Sequence, residues 1–276
     1  MNFNNILNHL EEADPEVYEK LSPRRNVLKN FGRVTLLTAL PFALGAYFKK
    51  AYGKNTGTVA DALNFALTLE YLEAGFYNTA MVTNAGLIPA SDQAVFNTIL
   101  KHENEHVAFL INTLATLGSA PIIKPKFDFT AGGTFSNVFS DYPTFLAVSQ
   151  TLEDTGVRAY KGQVTNLKSA PDVLTAALQI HSVEARHASH VRRMRAAAGA
   201  TLADGTPLKP WITGSQSGIA SAAVQASYNG EDLTTQAGVK MIGLDGQDIS
   251  ANAASEAFDE PLDMNTVLAI VNPFMI

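Results

Sequence analysis

The chain contains no cysteine. That excludes disulfides, thiolate nucleophiles, iron–sulfur clusters and every cysteine-containing zinc site. Any metal must be held by Glu, Asp, His and water. Charge is also scarce, at 17% of 276 residues against 46% hydrophobic residues. Such a chain buries enough apolar surface to offset its ordering entropy, so disorder of the whole is excluded. Positive charge is the scarcer sign: 20 Lys and Arg face 26 Asp and Glu, for a net charge of -6. An acidic surface repels phosphate backbones and argues against nucleic acid as a partner. The apolar stretch over 34–48 is interrupted by Pro41 and Gly45. It is shorter than the roughly 20 residues that a membrane-spanning helix needs.

Residues 1–21 are polar and acidic, and Ser22-Pro23-Arg24-Arg25-Asn26-Val27-Leu28-Lys29 follows directly before the apolar stretch. Paired arginines ahead of a short apolar segment resemble a twin-arginine export signal. Residues 1–53 therefore read as an export signal or a membrane anchor, with cutting before Lys54. The alternative is an amphipathic helix docked on the domain. Without these residues the chain keeps 13 basic and 21 acidic side chains, a net charge of -8. The expected location is outside the cytoplasm, in the periplasm or cell envelope, with the N-terminus as the point of any membrane association.

From Thr58 the apolar residues recur at helical spacing, until Asn84-Ala85-Gly86 and Pro89. A second helical segment is predicted over 93–117, capped by Ser91 or Asp92 and stopped by Gly118 and Pro121. Residues 118–142 lack helical period and read as a long crossover. A third segment is predicted over 143–167, with Pro143 in its first turn. A short turn at Ser169-Ala170-Pro171-Asp172 leads to a fourth, running to about residue 198 and ended by Gly199. Two helical pairs with a long middle connection predict an all-α four-helix bundle over 54–199. Residues 200–276 are rich in Gly, Ser, Ala, Thr and Asp and read as an irregular extension wrapping the bundle. One short helix is expected there, from Pro261 to Val271, capped by Asp259.

The two pairs repeat. Thr68-Leu69-Glu70 with Tyr77 in the first segment matches Thr151-Leu152-Glu153 with Tyr160 in the third. Ile99, Glu103 and His106 in the second match Ile180, Glu184 and His187 in the fourth. Such self-similarity predicts a pseudo-two-fold arrangement of two helical hairpins. Glu-x-x-His on a helix turns both side chains to one face. By chance, 13 glutamates and 6 histidines in 276 positions give about 0.3 such pairs; two occur, at matching places. Four carboxylates turned into an apolar interior would each cost several kcal/mol or take up protons. Two divalent cations neutralise them, and two imidazoles supply one nitrogen per ion. That donor set suits iron or manganese, with zinc as a further occupant.

Glu70, Glu103 with His106, Glu153, and Glu184 with His187 resemble the ligand pattern of the ferritin-like di-iron or di-manganese carboxylate proteins. The twin-arginine-like leader, the phrase 69–77 (LEYLEAGFY) and the phrase 256–262 (EAFDEPL) resemble an exported bacterial group that includes desiccation-related proteins. The resemblance implies Glu70 and Glu153 as terminal ligands and Glu103 and Glu184 as bridges. It gives Tyr77 and Tyr160 as donors to the carboxylates, the alternative being core aromatics. Leader and tail argue against a closed storage cage. Glu73, one turn after Glu70, is the alternative to it, but the Thr-Leu-Glu repeat favours Glu70; Glu73 and Glu105 are therefore expected to touch neither ion, and His102, His181 and His190 read as polar helix positions. Arg186, Arg192, Arg193 and Arg195 read as a solvated face. The implied function is chemistry on oxygen or peroxide in oxidative or desiccation stress. The alternatives are a manganese-catalase-like enzyme or organic-substrate oxidase, and a non-enzymatic metal-binding or structural envelope protein.

Overall fold

The computed structural model describes residues 58–276; the leader expected over 1–53 lies outside them. Four long helices dominate: α1 (Val59–Asn78), α2 (Gln93–Thr116), α3 (Tyr142–Leu167) and α4 (Pro171–Ala197). The fold is an all-α ferritin-like bundle. Local chemistry sets its ends. Thr58 and Asp61 form a reciprocal capping box at the start of α1. Asp141 accepts from the Thr144 amide, and Pro143 fills the first turn of α3. Beyond Asn78 the chain widens into a π-helical turn, Thr79–Thr83, where the Asn84 amide bonds the Thr79 carbonyl. Asp92 precedes α2 without a side-chain cap bond.

The pairs α1–α2 and α3–α4 make the largest helix contacts, and α1 also lies against α3. The crossover between Thr116 and Tyr142 is irregular. It lends Phe127, Phe129, Phe135 and Phe139 to one end of the core. There Phe76 stacks on Phe145 with centroids 5.1 Å apart. Toward the other end Leu63, Leu67, Leu110, Leu114 and Ile180 form a second apolar cluster. The polar residues of the site lie between the two.

Residues 200–276 contain a two-stranded hairpin, β1 (Thr235–Gln236) with β2 (Val239–Lys240), and two short helices, α5 (Ala251–Ser255) and α6 (Met264–Val271). The terminal helix is shorter than Pro261–Val271 predicts. Its cap is Asp263, accepting from the Thr266 amide, rather than Asp259. The extension is bolted to the bundle by buried arginines. Arg158 donates to the carbonyls of Ser227, Asn229 and Glu260 and pairs with Glu231 at 2.6 Å. Arg192 forks onto Asp154 at 2.9 and 2.5 Å, and Tyr228 donates to the same carboxylate. Arg195 donates to Gln150 and to the Gly218 carbonyl. Arg192 and Arg195 are therefore not a solvated face: they are 1% and 8% exposed, because the tail covers them. Arg186 and Arg193 are exposed.

Candidate metal centre

Each of the four helices brings a fully buried carboxylate to the middle of the bundle. Glu70 comes from α1, Glu103 from α2, Glu153 from α3 and Glu184 from α4, and each is 0% exposed. The i,i+3 spacing places His106 beside Glu103 and His187 beside Glu184, on the same inward helix faces. The donors fall into two groups. Glu70, Glu103, His106 and Glu184 form one, and Glu103, Glu153, Glu184 and His187 the other. Within each group the ligand atoms lie within 4.8 Å of one another. Exchanging the halves of the repeat converts one group into the other. Glu103 and Glu184 belong to both, the positions that the resemblance gives to bridges.

The close contacts are not those of a satisfied hydrogen-bond network. His106 Nδ1 lies 3.2 Å from Glu70 Oε2, 3.2 Å from Glu103 Oε2 and 3.1 Å from Glu184 Oε1. His187 Nδ1 lies 2.9 Å from Glu103 Oε1 and 3.2 Å from Glu153 Oε2. One ring nitrogen offers one N–H or one lone pair and cannot serve several carboxylates. Glu103 Oε1, Glu153 Oε2, both Glu184 oxygens and His187 Nδ1 are buried without a hydrogen-bond partner. Donor atoms about 3 Å apart are spaced as ligands sharing an ion with bonds of about 2.1 Å at right angles. The residues present thus fit two cations, and unpaired burial of the same atoms would cost several kcal/mol for each charge.

Electrostatics follow from this crowding. Burial pushes Glu70 up to about 7 against the pull of His106. Burial and then the Glu103 and Glu70 carboxylates hold Glu184 well above the ordinary range. Burial would raise Glu103 as well, but His106 and His187 flank it and leave it lowered. Burial would lower His187, yet Glu153 and Glu103 carry it up to about 11. His106 is raised well above its ordinary value, against burial, chiefly by Glu70.

The tyrosines cross between the halves. Tyr77 on α1 donates to Glu153 on α3, and Tyr160 on α3 donates to Glu70 on α1. Each fixes the outer carboxylate of the opposite hairpin, as groups behind metal ligands do. His102 Nδ1 lies 3.0 Å from His187 Nε2, so the far nitrogen of that imidazole is engaged by a third histidine. His181 faces the Val157 carbonyl, away from the cluster. His190 is exposed, and Glu105 is partly exposed beside Lys101. Glu73 is buried, 3% exposed, yet belongs to neither donor group. The sequence reading gives Glu73 no ion and His102 no partner at the site. The signals were present, since Glu73 follows Glu70 by three residues and His102 precedes Glu103 by one. A small apolar pocket is lined by Leu63, Ala66, Leu69, Leu110, Tyr160 and Ile180 among others, and by none of the six donors. Ala66, Leu110 and Ile180 sit one turn from Glu70, His106 and Glu184 respectively.

A family model described as ferritin-like domain matches residues 58–197. No curated protein matches the chain.

Proposed function

Because the chain belongs to the ferritin-like domain family, we propose that it is a dinuclear iron or manganese protein whose centre reacts with dioxygen or peroxide. The observation that carries this reading is the pair of overlapping donor groups with buried, unpartnered oxygens. Glu70 with His106 would hold one ion, Glu153 with His187 the other, and Glu103 and Glu184 would hold both. Four carboxylates balance two divalent charges, and the set contains no sulfur, which suits iron or manganese over softer metals. Bound there, the ions would supply the one-electron steps that oxygen and peroxide chemistry needs.

The protein's own part is placement and exclusion of water. Tyr77 and Tyr160 keep Glu153 and Glu70 in orientation by donating to them. His102 orients the His187 ring through its far nitrogen. Aliphatic and aromatic side chains above and below the donor layer keep bulk water away. The test is turnover: protein loaded with Fe²⁺ or Mn²⁺ is expected to consume dioxygen or peroxide, and Glu184→Gln is expected to lose both metal and turnover. Full metal occupancy with no turnover of either would refute the reaction and leave a metal-binding protein.

The reading extends to place and role. Residues 1–53, with Arg24-Arg25 before an apolar stretch, serve as an export signal or anchor, and the protein works in the cell envelope under oxidative or desiccation stress. The phrases 69–77 and 256–262 support the exported group. Fractionation of the source cells tests this. Full-length protein confined to the cytosol, and indifferent to changing both arginines to lysine, would refute it.

A further inference from the structure

The internal repeat makes the centre nearly symmetric, and one position breaks that symmetry. Glu70 and Glu153 correspond, so the residue three places on in each half should correspond too. In α1 that residue is Glu73; in α3 it is Gly156. Glu73 is 3% exposed. A Cβ placed on Gly156 would lie 3.2 Å from Glu73 Oε1 and 3.4 Å from Glu184 Oε2. The missing side chain of one half is thus the space that the extra carboxylate of the other half occupies. Glycine inside a helix costs about 1 kcal/mol relative to alanine. A glycine in mid-helix therefore marks a place where room is needed. Glu73 faces Glu184, Glu153, Glu103 and Glu70, whose charges act on it in that order. It belongs to neither donor group.

We propose that Glu73 is a fifth carboxylate of the centre, held beside the ion ligands to favour the higher oxidation state of the bound ions. The proposal rests on the dinuclear reading above. Four carboxylates match two divalent ions. A fifth leaves one negative charge in excess, and loss of one electron from one ion supplies the positive charge that matches it. In a low-dielectric interior such a charge acts strongly over short distances. The step considered is one electron passing from a bound Fe²⁺ to a mediator dye, with no bond formed or broken.

The experiment is a mediated potentiometric titration of full-length protein loaded anaerobically with Fe²⁺, alongside Glu73→Gln. The glutamine variant is expected to keep the wild-type iron content. Its oxidised-to-reduced ratio at a given potential is expected to fall at least tenfold, a midpoint about 59 mV higher for a one-electron couple. Glu73→Asp, which keeps the charge, is expected to stay near wild type. Glu73→Met gives the same reading as glutamine should the latter not fold. An unchanged midpoint in an iron-replete neutral variant overturns the proposal. So does loss of iron from Glu73→Gln, which would make Glu73 a holder of the ion itself, and so does an aspartate variant that behaves like glutamine. Wild-type protein that binds no iron fails the dinuclear reading instead, so the two failures are told apart.

Discussion

Stripping the centre with a chelator and raising the pH through neutrality should destabilise the fold step by step. In the folded chain Glu70 titrates at about 7 against an ordinary 4.5, so between those values the folded state holds a proton that the unfolded state has lost. Its contribution is fully present below pH 4.5 and is lost as the pH rises through about 7. Glu73 and Glu184 are raised in the same direction by burial and by their neighbours. His187, carried from 6.5 to about 11, is also fully stabilising below 6.5 and loses its contribution as the pH rises through about 11. His102 opposes them, since burial and His187 lower it from 6.5 to about 4. It opposes only between those values, and its partly exposed ring is screened by solvent. Glu103, held low, weighs only below its ordinary 4.5. Above pH 6.5 these groups of the centre therefore share one sign. One proton kept by the folded state alone is worth about 1.4 kcal/mol per pH unit. For a domain of this size each kcal/mol moves the Tm by roughly 2–4 °C. The metal-free chain should therefore lose at least roughly 3–6 °C per pH unit, the value for a single proton, from about 6.5 to 8. The assay is thermal melting by far-ultraviolet circular dichroism, in chelator and after metal loading. The loaded protein should show a flatter profile, because bound cations displace those protons. A metal-free Tm that climbs across that range would refute the reasoning.

Two further predictions concern the groups around the centre. Tyr77→Phe and Tyr160→Phe each remove a donor to Glu153 or Glu70, and each should weaken metal affinity about 10–100-fold. Competition against a chelating dye measures this, and unchanged affinity would reduce both to core aromatics. Gly162→Ala would put a Cβ 1.9 Å from the Leu262 carbonyl oxygen, so it should cost about 1–3 kcal/mol in a melting experiment. Helix propensity alone favours alanine there by about 1 kcal/mol, so a stabilised variant would show that the tail does not lie on α3 as described.

The helices were legible because their signals are local. The segment predicted over 93–117 is the helix Gln93–Thr116, and that over 143–167 is Tyr142–Leu167. Glycine, proline and capping residues announce such ends within a turn or two. The donors were legible because chemistry imposed a spacing twice. What remained hidden depends on partners distant in sequence. The burial of Arg192 requires Asp154, 38 residues earlier, and the Trp211 carbonyl from the extension. The burial of Glu73 requires the gap at Gly156 on another helix. Neither partner alters hydrophobic periodicity, so Arg192 reads as solvated and the room kept for Glu73 stays hidden. The cap of the last helix was misassigned because Asp259 and Asp263 both precede an apolar run, and only the geometry selects Asp263.

The central claim is that the buried carboxylates and imidazoles hold two ions. It is tested most directly by metal stoichiometry on full-length protein, stripped with chelator and reloaded anaerobically with Fe²⁺ or Mn²⁺. The account predicts two ions per chain, one for each donor group, with loss of metal in Glu103→Gln and Glu184→Gln and retention in Glu105→Gln. Protein that takes up neither ion, or equal metal loss in Glu105→Gln, would contradict it.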